Sequence, residues 1–145
     1  MTKQQLTTVW DAFGGSGAIG LEFLSRGWAA RAIFTDSDAA AIKTIRINAR
    51  DIPGAEVIMA DAMTMIKKFA PHVDLVFIDP PYSDSNLGEK FIAEFVRHAR
   101  MGTIVVWERE TDKNFKVQNA KFDHLETIKH KKYGRAEFWV MRIGS

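Results

Sequence analysis

Val9-Trp10-Asp11-Ala12-Phe13-Gly14-Gly15-Ser16-Gly17-Ala18-Ile19-Gly20 reads as a short apolar strand, a glycine loop and the first turn of a helix. Gly15, Gly17 and Gly20 form a G-x-G-x-x-G. The first glycine permits the tight turn, the second lets a ligand approach the backbone, and the third allows close helix–strand packing. The helix N-terminus behind such a loop presents unpaired N–H groups and a partial positive charge, which favour an anionic group. A strand precedes the loop, a helix follows, and acids lie near the end of the next strand. That context points to a nucleotide-type cofactor, with a plain structural turn as the competing reading.

Outward from this stretch, strands and helices alternate. Val9–Phe13 is the first expected strand, and the helix after the loop carries Ile19, Phe23 and Leu24 before stopping at Gly27, placed as a C′ glycine. Ala30–Thr35 reads as the second strand. Asp36, Ser37 and Asp38 then offer a cap to a helix with the stripe Ala41, Ile42, Ile45 and Ala49. Val57–Ala60 is the third strand, and Asp61 caps a short helix turning Met63, Ile66 and Phe69 inward. Val73–Ile78 is the fourth, broken by Asp79-Pro80-Pro81-Tyr82. A helix with Leu87, Phe91, Phe95 and Ala99 on one face ends at Gly102. The fifth strand, Thr103–Trp107, is a continuous apolar run that suits a buried parallel position. Phe122–Lys129 and Ala136–Ile143 read as two more strands joined by residues 130–135. That connection is too short for a parallel crossover, so they should pair antiparallel. The expected class is an α/β sandwich with a mostly parallel sheet, whose ligands bind outside the C-terminal strand ends. Asp11 lies near the first of those ends, and Asp36, Asp61, Asp79 and Glu108 lie at or just after the next four.

The 145 residues suggest one domain, long enough to bury a real core. Hydrophobic residues make up 46% and charged ones 26%, an ordinary globular mix. The net charge of +2 permits a nucleic-acid partner without demanding one. There is no cysteine, hence no disulfide framework or thiolate metal site. The N-terminus lacks the apolar core of a signal peptide, and no apolar run is long enough to span a membrane. A cytoplasmic enzyme is the expectation. His72, His98, His124 and His130 are scattered without ligand spacing, so no metal site is expected.

Two nucleotide-type cofactors compete for the loop: a dinucleotide such as NAD, and S-adenosylmethionine. Asp36 can accept from ribose hydroxyls in either. Asp11 separates them, because a carboxylate there would repel a pyrophosphate. It would favour the cationic ammonium and sulfonium of S-adenosylmethionine, with a turn-stabilising aspartate that bonds loop N–H groups as the competing reading.

Asp79-Pro80-Pro81-Tyr82 is the sharper motif. Each proline disfavours helix for the residue before it, so a stiff loop leaves the sheet edge. It can fix a carboxylate, a carbonyl and an aromatic face around one point. A planar base with an exocyclic amine needs such an arrangement, since its nitrogen lone pair is delocalised into the ring. Two acceptors holding the amine hydrogens draw that nitrogen toward tetrahedral geometry, and Tyr82 can stack on the base. Catalysis of this kind rests on positioning and electrostatics.

Asp11-Ala-Phe-Gly-Gly-Ser-Gly-Ala-Ile-Gly-Leu-Glu, Leu24-Ser-Arg-Gly, the Asp36/Asp38 pair, Asp79-Pro-Pro-Tyr and Lys132-Tyr-Gly together resemble the bacterial 16S rRNA guanine-N2 methyltransferase family. The resemblance runs from Val9 to the last strand. It implies a seven-stranded Rossmann-like methyltransferase sheet ending in a reversed hairpin, with S-adenosylmethionine as cofactor. The cofactor-binding residues implied are Asp11, Phe13, Gly15, Ser16, Gly17, Asp36, Ser37, Asp61, Ala62 and Asp79. Among these, Asp11, Gly15 and Gly17 would hold the methionine part, Asp36 the ribose and Asp61 the adenine. Asp79, Pro80, Pro81 and Tyr82 would present the target amine. Gly14 stands where the family usually has Ala, and the family's N-terminal extension, which contributes to substrate contact, is nearly absent. On the late hairpin, Lys131, Lys132, Tyr133 and Arg135 are candidate substrate contacts, with a solvated charged turn as the competing reading. The expected activity is methyl transfer to guanine N2 in 16S rRNA or a small-subunit assembly particle. The alternatives are adenine-N6 methylation of DNA, or a non-catalytic or NAD-binding Rossmann module.

Overall fold

The computed structural model describes residues 6–81, 86–111, 122 and 124–144. Strands β1 (Leu6–Asp11), β2 (Ala29–Asp36), β3 (Ala55–Met59), β4 (Leu75–Ile78), β5 (Ile104–Glu110), β6 (Leu125–Tyr133) and β7 (Ala136–Ile143) form one sheet in the order β3-β2-β1-β4-β5-β7-β6. The first five strands are parallel, and β7 runs antiparallel to both β5 and β6. The parallel sheet with its antiparallel end is the expected architecture.

Helices α1 (Ala18–Ser25) and α2 (Ala39–Ala49) cover one face. A short α3 (Ile66–Phe69), flanked by 3-10 turns, and α4 (Leu87–His98) cover the other. Alternation along β1 sends Val9 into the first layer and Trp10 into the second. Trp10 is wholly buried, with its ring 5.4 Å from Phe69 and 5.3 Å from Phe91. Its indole N–H donates to Thr35 Oγ1 at 3.0 Å, and that hydroxyl donates to the Ala12 carbonyl at 2.6 Å. The chain just after β1 is thereby tied to β2 through the core.

Local signals account for most boundaries. Gly27, at φ 70°, closes α1 as C′: its N–H donates to the Leu24 carbonyl and Trp28 N–H to that of Phe23. Asp38 caps α2, accepting from the N–H groups of Ala40 and Ala41, so Asp36 is left for another role. Asp61 accepts from Met63 N–H at the first 3-10 turn.

Three expectations are corrected. First, Ile19 does not face the core; it is 37% exposed, and α1 buries Gly20 and Leu21. A Cβ on Gly20 would stand 2.4 Å from the Phe34 ring, so that close approach decides which side of α1 turns inward. Second, β5 runs on to Glu110, past the apolar stretch, because β7 pairs with it as far as Glu110↔Ala136. Third, His130 to Tyr133 are strand, and the hairpin turns on Gly134 and Arg135 alone. Gly134, at φ 58°, occupies the first position of a two-residue loop, where positive φ matches the strand twist. The lysine-rich run looked like a turn because β6 is outermost and almost entirely exposed, so no apolar alternation marks it.

Candidate functional site

Chain order reverses between β1 and β4, the position where an open α/β sheet leaves a crevice at its carboxyl edge. The loop from β1 to α1 forms its floor. Gly14 N–H donates to the Thr35 carbonyl at 2.8 Å, and Gly17 N–H to that of Gly14 at 2.7 Å. Gly15 N–H donates to Asp36 Oδ2 at 3.0 Å, while Asp36 Oδ1 accepts from Asp38 N–H at 2.8 Å. Gly17 is the N-cap of α1 at φ 80°, in the left-handed region where a side chain is strained. No side chain caps α1 from that position. Asp11 does so from β1, accepting from Gly20 N–H at 3.3 Å while itself only 3% exposed.

A cleft of about 560 Å³ opens above this floor. Of the residues singled out in the sequence, Phe13, Gly15, Asp36, Ser37, Asp61, Ala62, Asp79 and Pro81 line it. The structure therefore brings the ends of β1, β2, β3 and β4 to one space. Asp11 lies beneath the loop, not on the cleft wall. Ser16 turns its carbonyl to Asn48 of α2, and Gly17 packs toward Ile45. Pro80 is half-buried beside Pro81, and Tyr82 lies outside the described residues. Met63 and Leu87 also line the cleft and drew no functional reading, because an apolar residue opening a helix looks like core. Lys131, Lys132, Tyr133 and Arg135 are not in the cleft; they stand on β6 and its turn, at the far edge of the sheet.

The electrostatics are those of crowded acids. Burial pushes Asp11 from 3.8 up to about 7; the charges of Asp79 and Asp36 push the same way, against the Gly20 hydrogen bond. Asp79 is likewise pushed up to about 7, by burial and by a hydrogen bond and like charge from Glu108. The pairing Ile78↔Trp107 explains that contact, since the next residue on each chain is Asp79 and Glu108. Glu108 was visible in sequence as an acid at this edge, but its partnership with Asp79 depends on register between two strands. A site that gathers the buried Asp11 with the half-buried Asp36, Asp79 and Glu108 resists anions and gains from a cation. Its chemistry therefore fits an ammonium and a sulfonium better than a pyrophosphate. Among the described residues, no group of three or more acids or histidines is placed to hold a metal ion, and no helix is long and apolar enough to cross a membrane.

The family model described as Conserved hypothetical protein 95 matches residues 2–142. The chain is 32% identical over 111 residues to Ribosomal RNA small subunit methyltransferase D of Haemophilus influenzae, covering 71% of this chain and 56% of that protein. It is 39% identical over 82 residues to the protein of the same name from Escherichia coli, covering 54% and 40% respectively. The chain thus spans about half the length of the curated relatives it matches. Its fold is shared with an RNA methyltransferase from Salinibacter ruber solved in complex with S-adenosyl-L-homocysteine. That likeness has a TM-score of 0.73 at 15% identity and covers 96% of this chain and 82% of the other.

Proposed function

The chain belongs to the Conserved hypothetical protein 95 family, and from that premise we propose that it is an S-adenosylmethionine-dependent methyltransferase acting on guanine N2 of small-subunit rRNA. Its residues 1–145 are read as a single methyltransferase domain. The observation that carries this reading is the cleft itself, where Asp79 and Pro81 face Asp36 and Asp61 across a glycine-loop floor. The methyltransferase names of the relatives and the cofactor product in the Salinibacter complex support it.

When bound, S-adenosylmethionine supplies an electrophilic methyl group. Asp36 and Ser37, at the end of β2, would accept from its ribose hydroxyls, and Asp61 and Ala62 would meet its adenine. Asp11, Gly15 and Gly17 would hold the methionine part, Asp11 by lending negative charge beneath the α1 N-terminus. Asp79 accepts an N–H of the target amine while the stiff Pro80-Pro81 pair fixes its carboxyl. That contact matters most as the amine nitrogen becomes tetrahedral, so it serves the transition state more than the ground state. Guanine offers N1–H and N2–H side by side, two donors that one ionised carboxylate can accept together. A second reading has one observation of its own. Burial and Glu108 push the Asp79 carboxyl up to about 7, and a protonated carboxyl can donate to the N1 acceptor of adenine.

The test is the product. The protein is incubated with labelled S-adenosylmethionine and separate pools of rRNA, assembly particles and unmethylated DNA. Each pool is then digested to nucleosides. N2-methylguanine from small-subunit rRNA is the expected result. N6-methyladenine in DNA transfers the function to the second reading, and preferential NAD binding overturns both.

A further inference from the structure

The alternation of β6 sorts its basic residues onto two different surfaces. Lys129, Lys131 and Tyr133 follow one another at every second position and share one face. Their partners on β7 are Val140, Phe138 and Ala136. With Val140 and Phe138 the three enclose a shallow hollow of about 250 Å³. Tyr133 is 58% exposed, yet its ring meets Phe138 edge-on at 5.9 Å, which orients it. Among the described residues, neither Lys129 nor Lys131 is in an ion pair. The opposite face is different. There His130 stacks on Trp139 at 3.6 Å and hydrogen-bonds the buried Glu137 at 2.7 Å, and Lys132 sits opposite that same glutamate.

We infer that Lys129, Lys131 and Tyr133 form a single-stranded RNA platform, separate from the cleft, that guides the nucleic acid toward Asp79. This rests on the methyltransferase reading only for its destination. The lysines recur about 7 Å apart and suit successive phosphates, while the ordered, exposed phenol offers a stacking face for a base. Location supports the direction. Ala136, next to the turn, pairs with Glu110, whereas the last β4–β5 pair is Ile78↔Trp107. The hairpin tip therefore projects about 10 Å past the end of β4, on the sheet edge that bears Asp79. Three strand spacings separate β6 from β4 in the sheet, about 14 Å, so a bound strand crosses only a short distance to the cleft. Lys132, on the other face, belongs to the Glu137 surface and not to this platform.

The test uses the whole protein and a fluorescein-labelled single-stranded RNA of about 20 nucleotides, read by anisotropy over a salt series, with S-adenosylmethionine affinity measured in parallel. The Lys129→Ala/Lys131→Ala pair should weaken RNA binding at least tenfold at low salt and reduce the log–log salt slope by about 1.4, two phosphates at about 0.7 each for a single strand. Tyr133→Ala should weaken it at least fivefold and leave the salt slope unchanged. Lys67→Ala/Lys68→Ala, a charge-matched change on the exposed part of α3, should alter affinity less than twofold. Unchanged S-adenosylmethionine affinity in every variant confirms intact folding and places the effect on the platform. The inference is overturned if Lys132→Ala costs as much as Lys131→Ala, if Tyr133→Ala is neutral, or if the parent protein binds the cofactor and no RNA. Loss of RNA affinity on the expected pattern in a protein that binds no S-adenosylmethionine would uphold the platform and defeat the cofactor reading instead.

Discussion

Asp11→Asn should make the protein more stable and a worse enzyme. Asp11 is buried, and its carboxyl is pushed from 3.8 to about 7. The folded chain therefore holds a proton there that the unfolded chain has released, over the range between those values. Stability falls as pH rises through that window, because the unfolded state binds fewer protons. At about 1.4 kcal/mol per pH unit, ionising this one group in place costs the fold on the order of 4 kcal/mol above pH 7. Asparagine keeps an oxygen that can accept from Gly20 N–H and removes the charge that Asp79 and Asp36 oppose. Urea unfolding of both proteins at pH 5 and pH 8 measures the difference. The variant should be the more stable at pH 8, and its advantage should be larger there than at pH 5 by about 3 kcal/mol. On the proposed function, cofactor affinity should move the other way, weakened by the loss of negative charge beneath the glycine loop. An advantage independent of pH, or a variant less stable at pH 8, would refute the account of Asp11 as a charge held at a cost.

Asp79→Ala should leave S-adenosylmethionine binding in place and lower turnover by more than about tenfold, an effect above ~1.4 kcal/mol; turnover within that limit on the verified substrate would make Asp79 structural. Glu108→Gln removes a like charge beside Asp79, so the acid limb of the turnover profile should shift to lower pH, and an unmoved limb would show that the two carboxyls do not interact. Gly20→Ala forces a methyl against the Phe34 ring and should destabilise the fold by roughly 1–3 kcal/mol, measured as a lower urea midpoint at unchanged slope.

Local signals were legible wherever one residue determines its own surroundings. The glycine loop, the Gly27 terminus, the Asp38 cap and the break at Pro80-Pro81 could all be read from the sequence. The cleft residues on four strand ends followed from the single rule that ligands sit at the carboxyl edge. What failed needed contacts between distant segments. Ile19 and Leu21 are equally apolar, and only the approach of Gly20 to Phe34 decides between them. The pairing of Glu108 with Asp79 depends on the β4–β5 register, which no motif encodes. The extent of β6 was hidden because an outermost strand, wet on nearly every residue, has no apolar alternation to display. Asp11 was legible as an acid at the end of the first strand, but its burial beneath the loop, and hence the upward push on its carboxyl, was not.

The position of β6 at the end of the sheet bears on how copies of the protein meet one another. An outermost strand of nine residues with backbone N–H and C=O groups to spare invites a second sheet to dock alongside, the usual start of unwanted self-association. Here two copies aligning β6 against β6 would press Lys129, Lys131 and Lys132 of one against those of the other, and like charges at strand spacing repel. The same lysines thus act as a solubility guard. Conditions that mute them, such as high salt, would weaken the guard at the very edge where the chain is most open to pairing with itself.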